Sequence, residues 1–188
     1  MENFFRQGKE TSIVVGLETT YERMDELTPF SNPTYGGGQG DKYLDFVVNN
    51  LKPYIDLNFR TKSDRANTGV AGSSLGGLMS FYMGVKRQDI FGKIGVFSPS
   101  FWFSDKIYDF ALTNRITYPN TKIYFVCGQT ESSTMGSDML KMITLLRSYG
   151  FNGIQYLIQA DGQHSEWFWN REWPSAYSWL YYLFHQNF

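Results

Sequence analysis

Gly72-Ser73-Ser74-Leu75-Gly76 has the types and spacing of a serine nucleophile in a tight turn. This G-x-S-x-G lies between Asn67-Thr68-Gly69-Val70-Ala71 and a helical pattern, Gly77-Leu78-Met79-Ser80-Phe81-Tyr82-Met83-Gly84. At a strand-to-helix turn such a motif forms a nucleophile elbow, with the serine hydroxyl exposed above the sheet at the start of a helix. The turn is sharp enough to strain the backbone of the nucleophile. The flanking glycines are expected because a side chain there would collide with neighbouring backbone. Glycine and serine are also common residues of ordinary turns. Two serines followed by two glycines and an apolar helix fit an elbow better than a surface turn.

A serine hydroxyl attacks poorly until an imidazole takes its proton. The imidazole in turn needs a carboxylate to hold its tautomer and stabilise its cation. The chain has two histidines. His185 falls near the terminus in a predicted closing helix, whereas His164 falls in Asp161-Gly162-Gln163-His164-Ser165-Glu166, just past a predicted strand. Glu131 stands in Gly128-Gln129-Thr130-Glu131, past another. Ser74, Glu131 and His164 thus follow the chain order nucleophile, acid, base that α/β-hydrolases use. Each has an ordinary alternative. His164 could be a solvated loop histidine and Glu131 a surface acid, with Asp138, Asp161 and Glu166 as rival acids. Asp138 falls inside a predicted helix, Asp161 is close in sequence to His164, and the neighbours of Glu166 suggest a helix start. The three strand-end positions together favour Ser74, Glu131 and His164. The first oxyanion donor is then the Leu75 backbone N–H.

Strands alternating with helices would position these groups. Ser12–Leu17, Thr68–Ala71, Lys93–Phe97, Lys122–Cys127 and Ile154–Gln159 read as five strands. A Pro- and Gly-rich loop fills 28–41. Asp41 can cap a helix carrying Leu44, Phe46, Val47, Leu51 and Ile55 on one face, with Pro53 bending it or starting a new turn. Further helices are expected over 76–86, 107–112, 135–149 with Gly150 as its C-terminal stop, and 174–185. The alternation predicts one α/β domain over 1–188, a mostly parallel sheet of about five strands with helices on both faces. Parallel sheets carry their chemistry at the carboxyl ends of the strands, where all three candidates fall.

Composition narrows the partners. The 188 residues carry a net charge of −1 and a pI near 6.1, which gives no electrostatic case for nucleic acid or anionic membrane. No stretch approaches the roughly 18 to 20 apolar residues of a membrane span. Cys127, the single cysteine, excludes an internal disulfide and a cysteine-based metal site. Nothing calls for a metal or an organic cofactor. Met1 to Gly8 lacks the apolar core of a signal peptide. As written the chain reads as cytoplasmic, and a leader ahead of it would make it secreted or periplasmic.

The run AGSSLGGLMSFYMGVKRQDIFGKIGVFSPSFWF, with Leu51-Lys52-Pro53-Tyr54-Ile55-Asp56 before it and DGQHSEWFW after it, resembles the esterase family of α/β-hydrolases. That family includes enterochelin esterase-like siderophore hydrolases, esterase D, feruloyl esterases and mycolyltransferases. The resemblance covers about residues 12–183. It implies an α/β-hydrolase fold with Ser74 as nucleophile, His164 as base and Glu131 as acid. It also sets Arg23, with Glu26 and Thr28-Pro29, in a region that borders substrate in siderophore-type members; a surface arginine is the ordinary alternative. Trp102 and Trp167 are candidate substrate contacts, as are Trp169 and Trp173, although tryptophans also fill cores. The implied activity is hydrolysis of a carboxylic ester through an acyl-enzyme, with siderophore lactones, feruloyl esters or acetyl-sugar esters as variants. Acyl transfer to a sugar hydroxyl, or carbohydrate binding without turnover, are the alternatives. The chain departs from the family pattern at its start. A single strand is expected before the elbow strand, so the strand that lies between them in the usual order, and the loop that supplies a second oxyanion N–H, have no counterpart. Either the flanking strands pair directly, or residues 1–11 or a second copy fill the position, or catalysis is impaired. The exposed edge would favour a homodimer.

Overall fold

The sheet is built from runs that are buried on both faces, and the reason is visible in the side chains. In the computed structural model, which describes residues 12–182, four strands form in chain order: β1 (Gly69–Ser73), β2 (Lys93–Phe97), β3 (Lys122–Gly128) and β4 (Ile154–Gln159). They pair in parallel in the order β1-β2-β3-β4. Ile94, Val96, Ile123, Phe125 and Cys127 point into one apolar cluster, and Phe97, Tyr124 and Val126 into another on the opposite face. This period of two with no polar face is what a parallel sheet between helix layers requires.

The helices are α1 (Arg23–Glu26), α2 (Gly40–Phe46), α3 (Lys52–Asn58), α4 (Leu75–Lys86), α5 (Lys106–Thr113), α6 (Met135–Ser148) and α7 (Glu166–Tyr181). α4 and α6 cover the first face, and α7 covers the second through Phe168, Ala176 and Leu180. Burying a side chain the size of Phe125 contributes about 1.5–3 kcal/mol, so the central strands anchor the assembly. Between α2 and α3 the helix widens into a π turn over Val47–Leu51, and Pro53 enters at the first turn of α3. A proline there has no N–H to lose from the helical ladder, which agrees with the expected new turn. α6 ends as predicted: Gly150 takes φ +90°, its N–H bonds Arg147 O at 2.9 Å, and Phe151 N–H bonds Leu146 O at 3.2 Å. That pair of bonds is a Schellman stop.

Three expectations need correction. Asp41 does not cap α2, whose N-cap is Gln39; it lies in the first turn and accepts from Tyr82 Oη–H and Lys86 Nζ–H, both at 2.6 Å. The sheet has four described strands, not five, because Ser12–Leu17 joins no ladder. Ile13, Val14, Val15 and Leu17 are 39–65% exposed and face β1 across a groove of about 1240 Å³. Direct pairing of these two segments, one of the expected outcomes, does not occur. β-branched residues fit a pleated surface, but they make a strand only where a neighbour completes the ladder. The closing helix starts at Glu166, eight residues before Pro174, because Ser165 caps it by accepting from Phe168 N–H at 3.5 Å. Pro174 therefore lies inside α7. His185 and residues 1–11 lie outside the described residues.

Candidate active site

Ser74 sits at the junction of β1 and α4 with φ 59° and ψ −124°. A non-glycine residue held there costs on the order of 1–3 kcal/mol, so the surroundings must impose it. Ser74 N–H donates to Phe97 O at 3.0 Å, and Ser74 O accepts from Leu78 N–H and Ser100 N–H, both at 3.1 Å. The glycine requirement is real but differently distributed than the motif suggests. A Cβ on Gly72 would lie 2.5 Å from Gly76 O, and one on Gly77 would lie 2.7 Å from Phe97 O. A Cβ on Gly76 would meet nothing within 4 Å. Gly72 and Gly77 let the backbones close at the elbow; the fifth motif position faces open space. Leu75, the first residue of α4, has an N–H with no acceptor inside the helix, as an oxyanion donor needs.

The candidate acid and base meet. β3 ends at Gly128 and β4 at Gln159, and the loops beyond them touch backbone to backbone, since a Cβ on Gly128 would run into Gly162. Thr130 Oγ1–H donates to Gly162 O at 2.6 Å and ties the same two loops. Glu131 Oε2 is then 2.8 Å from His164 Nδ1. The Glu131 side chain has no exposed surface and that of His164 is 37% exposed. Glu131 Oε1 accepts from Ser98 Oγ–H at 2.7 Å and from Gly128 N–H at 2.5 Å. Among the described residues no hydrogen bond joins His164 to Ser74; Ser74 Oγ is instead 3.4 Å from Ser100 Oγ. Catalytic contacts of this kind are often long until substrate arrives.

Among the described residues no rival acid bonds His164, whose partner is Glu131. Asp161 takes a two-pronged bond from Arg171, at 2.6 and 3.0 Å, and the Arg171 guanidinium beside it holds its carboxyl below the usual range. Asp138 lies in the first turn of α6, and Glu166 in that of α7. Cys127 is buried as expected; burial, and then the charge of Glu131, push its thiol up to about 12.

Of the candidate substrate contacts, Trp102 is half exposed and meets Tyr35 edge-on at 5.8 Å. It follows Ser100, the neighbour of Ser74, by two residues. Trp167 is 59% exposed on the first turn of α7, its ring under the Arg171 guanidinium at 4.9 Å. Arg23 lines the groove along β1. Trp173 packs on Phe97 in the core. Ser98, buried and at φ 43°, is a site residue that sequence reasoning does not reach, although it stands in the run that carries the family resemblance.

On the other side of the elbow the chain is open. Gly72, Ser73 and Gly76 line the groove shared with residues 12–17.

A parallel sheet between helix layers with a serine at a β1–α4 elbow is the architecture of an α/β-hydrolase. The chain belongs to the family described as Putative esterase, whose model matches residues 4–176. It is 27% identical over 198 residues to uncharacterized protein YbbA of Bacillus subtilis (strain 168), covering 96% of this chain and 78% of that one. It is 25% identical over 171 residues to the endo-1,4-beta-xylanase/feruloyl esterase of Xylanibacter ruminicola, covering 91% of this chain and 21% of that protein. Among solved structures it is similar to the enterobactin esterase FES from Shigella flexneri, with a TM-score of 0.70 at 17% identity, over 87% of this chain and 41% of that one.

Proposed function

We propose that this chain hydrolyses carboxylic esters through an acyl-enzyme on Ser74, with His164 as general base and Glu131 as its orienting acid. The observation that carries the reading is the 2.8 Å contact between Glu131 Oε2 and His164 Nδ1, made by loops that follow strands on the same side of the sheet as the elbow. With Nδ1–H held by Glu131, the His164 Nε2 lone pair is free to take the Ser74 proton. Ser74 Oγ then bonds to the carbonyl carbon, and the carbonyl oxygen becomes an oxyanion that accepts from Leu75 N–H. Collapse breaks the carbon–oxygen bond to the alcohol, which leaves with the proton from His164. Water repeats the sequence to release the acid and restore Ser74.

Siderophore, feruloyl and acetyl-sugar esters are the substrate classes we propose. The half-exposed rings of Tyr35, Trp102 and Trp167 suit a flat acyl group or a sugar face. The relatives named as feruloyl and enterobactin esterases support the first two classes. One observation favours a second reading, a domain that binds such esters with little turnover. The elbow is open on its Gly76 side, and losing one oxyanion donor typically costs about 10² to 10³ in rate. Hydrolysis of p-nitrophenyl acetate by the wild-type chain and by Ser74→Ala separates the two. Turnover that falls to the uncatalysed rate in the variant is expected; equal rates in both would leave binding as the function.

A further inference from the structure

The buried hydroxyl of Ser98 stands at the site but neither attacks, nor takes a proton, nor faces substrate. It lies just past β2 with no exposed surface and with φ at 43°. Both of its bonds have a forced direction. An indole N–H can only donate, so Trp169 Nε1–H gives its proton to Ser98 Oγ, at 2.8 Å. An ionised carboxylate can only accept, so the Ser98 proton goes to Glu131 Oε1, at 2.7 Å. With Gly128 N–H on the same oxygen, Oε1 is occupied and Oε2 is left for His164. Trp169 reaches the other partner directly: its ring meets that of His164 at 5.0 Å and 88°. One side chain therefore braces the imidazole with its ring and, through Ser98, sets the rotation of the carboxylate.

We propose that Ser98 and Trp169 are positioning residues that hold the Glu131–His164 pair in register with Ser74. They act through Glu131 and His164, and the inference rests on the reading of those residues as the acid and base of the reaction. A packing role alone would be met by any apolar side chains of the same shape and would not call for a buried hydroxyl and an indole N–H linked in series. A hydrogen bond to a charged group, once removed, costs about 10- to 100-fold in the quantity it supports.

The test is steady-state hydrolysis of p-nitrophenyl acetate by wild type, Ser98→Ala, Trp169→Phe and the double variant, beside Ser74→Ala. Trp169→Phe keeps a ring against His164 and removes the N–H, so it reports even if Ser98→Ala folds poorly; circular dichroism identifies a variant that does. Expected are a fall in kcat of about 10- to 100-fold in Ser98→Ala with KM little changed, and a smaller fall in Trp169→Phe. The acidic limb of the kcat/KM profile moves to higher pH in Ser98→Ala. A carboxylate that has lost a donor directs more of its charge at the imidazolium and holds that proton more tightly. The double variant falls no further than Ser98→Ala, because the two bonds lie in one chain and their effects are not additive. Losses that add, a change confined to KM, or folded variants with wild-type kcat and pH profile would overturn the proposal. If Ser74→Ala is inactive while these variants match wild type, this inference alone fails. A wild-type chain without Ser74-dependent turnover overturns it together with the function it rests on.

Discussion

The two flanks of Ser74 are built to different degrees. On the β2–β3 side the buried polar groups around Glu131 are paired. Glu131 accepts three hydrogen bonds, counting His164 with Ser98 and Gly128, and the loops carrying the acid and base touch through two glycines. On the β1 side the outer edge of the sheet has no ladder partner among the described residues, and apolar residues 12–17 stand unpaired across a wide groove. The same serine is shared by a closed flank, which holds the proposed acid and base, and an open flank, where the proposed oxyanion would need its second donor. Hydrolytic competence requires both, and the closed flank is the one from which chemistry can be read.

Substitution of Glu131 by Gln should have the largest effect of those aimed at this contrast. The amide can still accept from Ser98 and Gly128 through one atom, yet it presents an N–H donor or a poorer acceptor to His164. The wrong tautomer then faces Ser74, and in serine hydrolases such a change lowers kcat by about 10⁴. Steady-state kinetics on p-nitrophenyl acetate measure it. Little change in kcat would mean that the closed flank is structural.

Next comes Gly77→Ala. Its Cβ would press on Phe97 O, the same carbonyl that holds Ser74 N–H, and neither backbone can yield easily. Overpacking of this kind costs about 1–3 kcal/mol, read as a lower urea midpoint, with activity falling as the elbow shifts. An edge substitution, Val14→Lys, tests the other flank. An exposed unpaired strand edge is a template for a second chain, and a charge on its wall blunts that. The wild-type chain is expected to associate as concentration rises in sedimentation velocity, and the variant to remain monomeric. Identical profiles would mean that the groove does not recruit another copy.

The contrast also explains what could be read from the residues. Lys93–Phe97 and Ile154–Gln159 fall where their apolar runs end, because both strands have ladder partners and helices to bury against. Ser12–Leu17 looks the same by composition and forms no strand, since pairing depends on a neighbour that local sequence does not report. Ser74, Glu131 and His164 were legible as strand-end residues with the right chemistry. Ser98 and Trp169 were not, although both stand in runs that had been noticed. Their role comes from a hydrogen-bond path that crosses 71 positions of the chain, and no spacing rule announces it. Arg23 follows a pattern whose resemblance implies a substrate border, and its side chain lines the open groove along β1.

The smallest effect belongs to Gly76→Ala, and it is the most discriminating. In the motif Gly76 looks equivalent to Gly72, yet a Cβ on Gly76 meets nothing within 4 Å while one on Gly72 strikes Gly76 O. Gly76 is in the first turn of α4, where alanine is favoured over glycine by up to about 1 kcal/mol. If the groove is empty in solution, Gly76→Ala should leave the urea midpoint unchanged or slightly raised and turnover as in wild type. A clear loss of stability in the same measurement would mean that backbone packs against Gly76, and so that the open flank is covered. The fifth residue of the motif, dispensable by local geometry, thus becomes a probe for whatever completes the elbow.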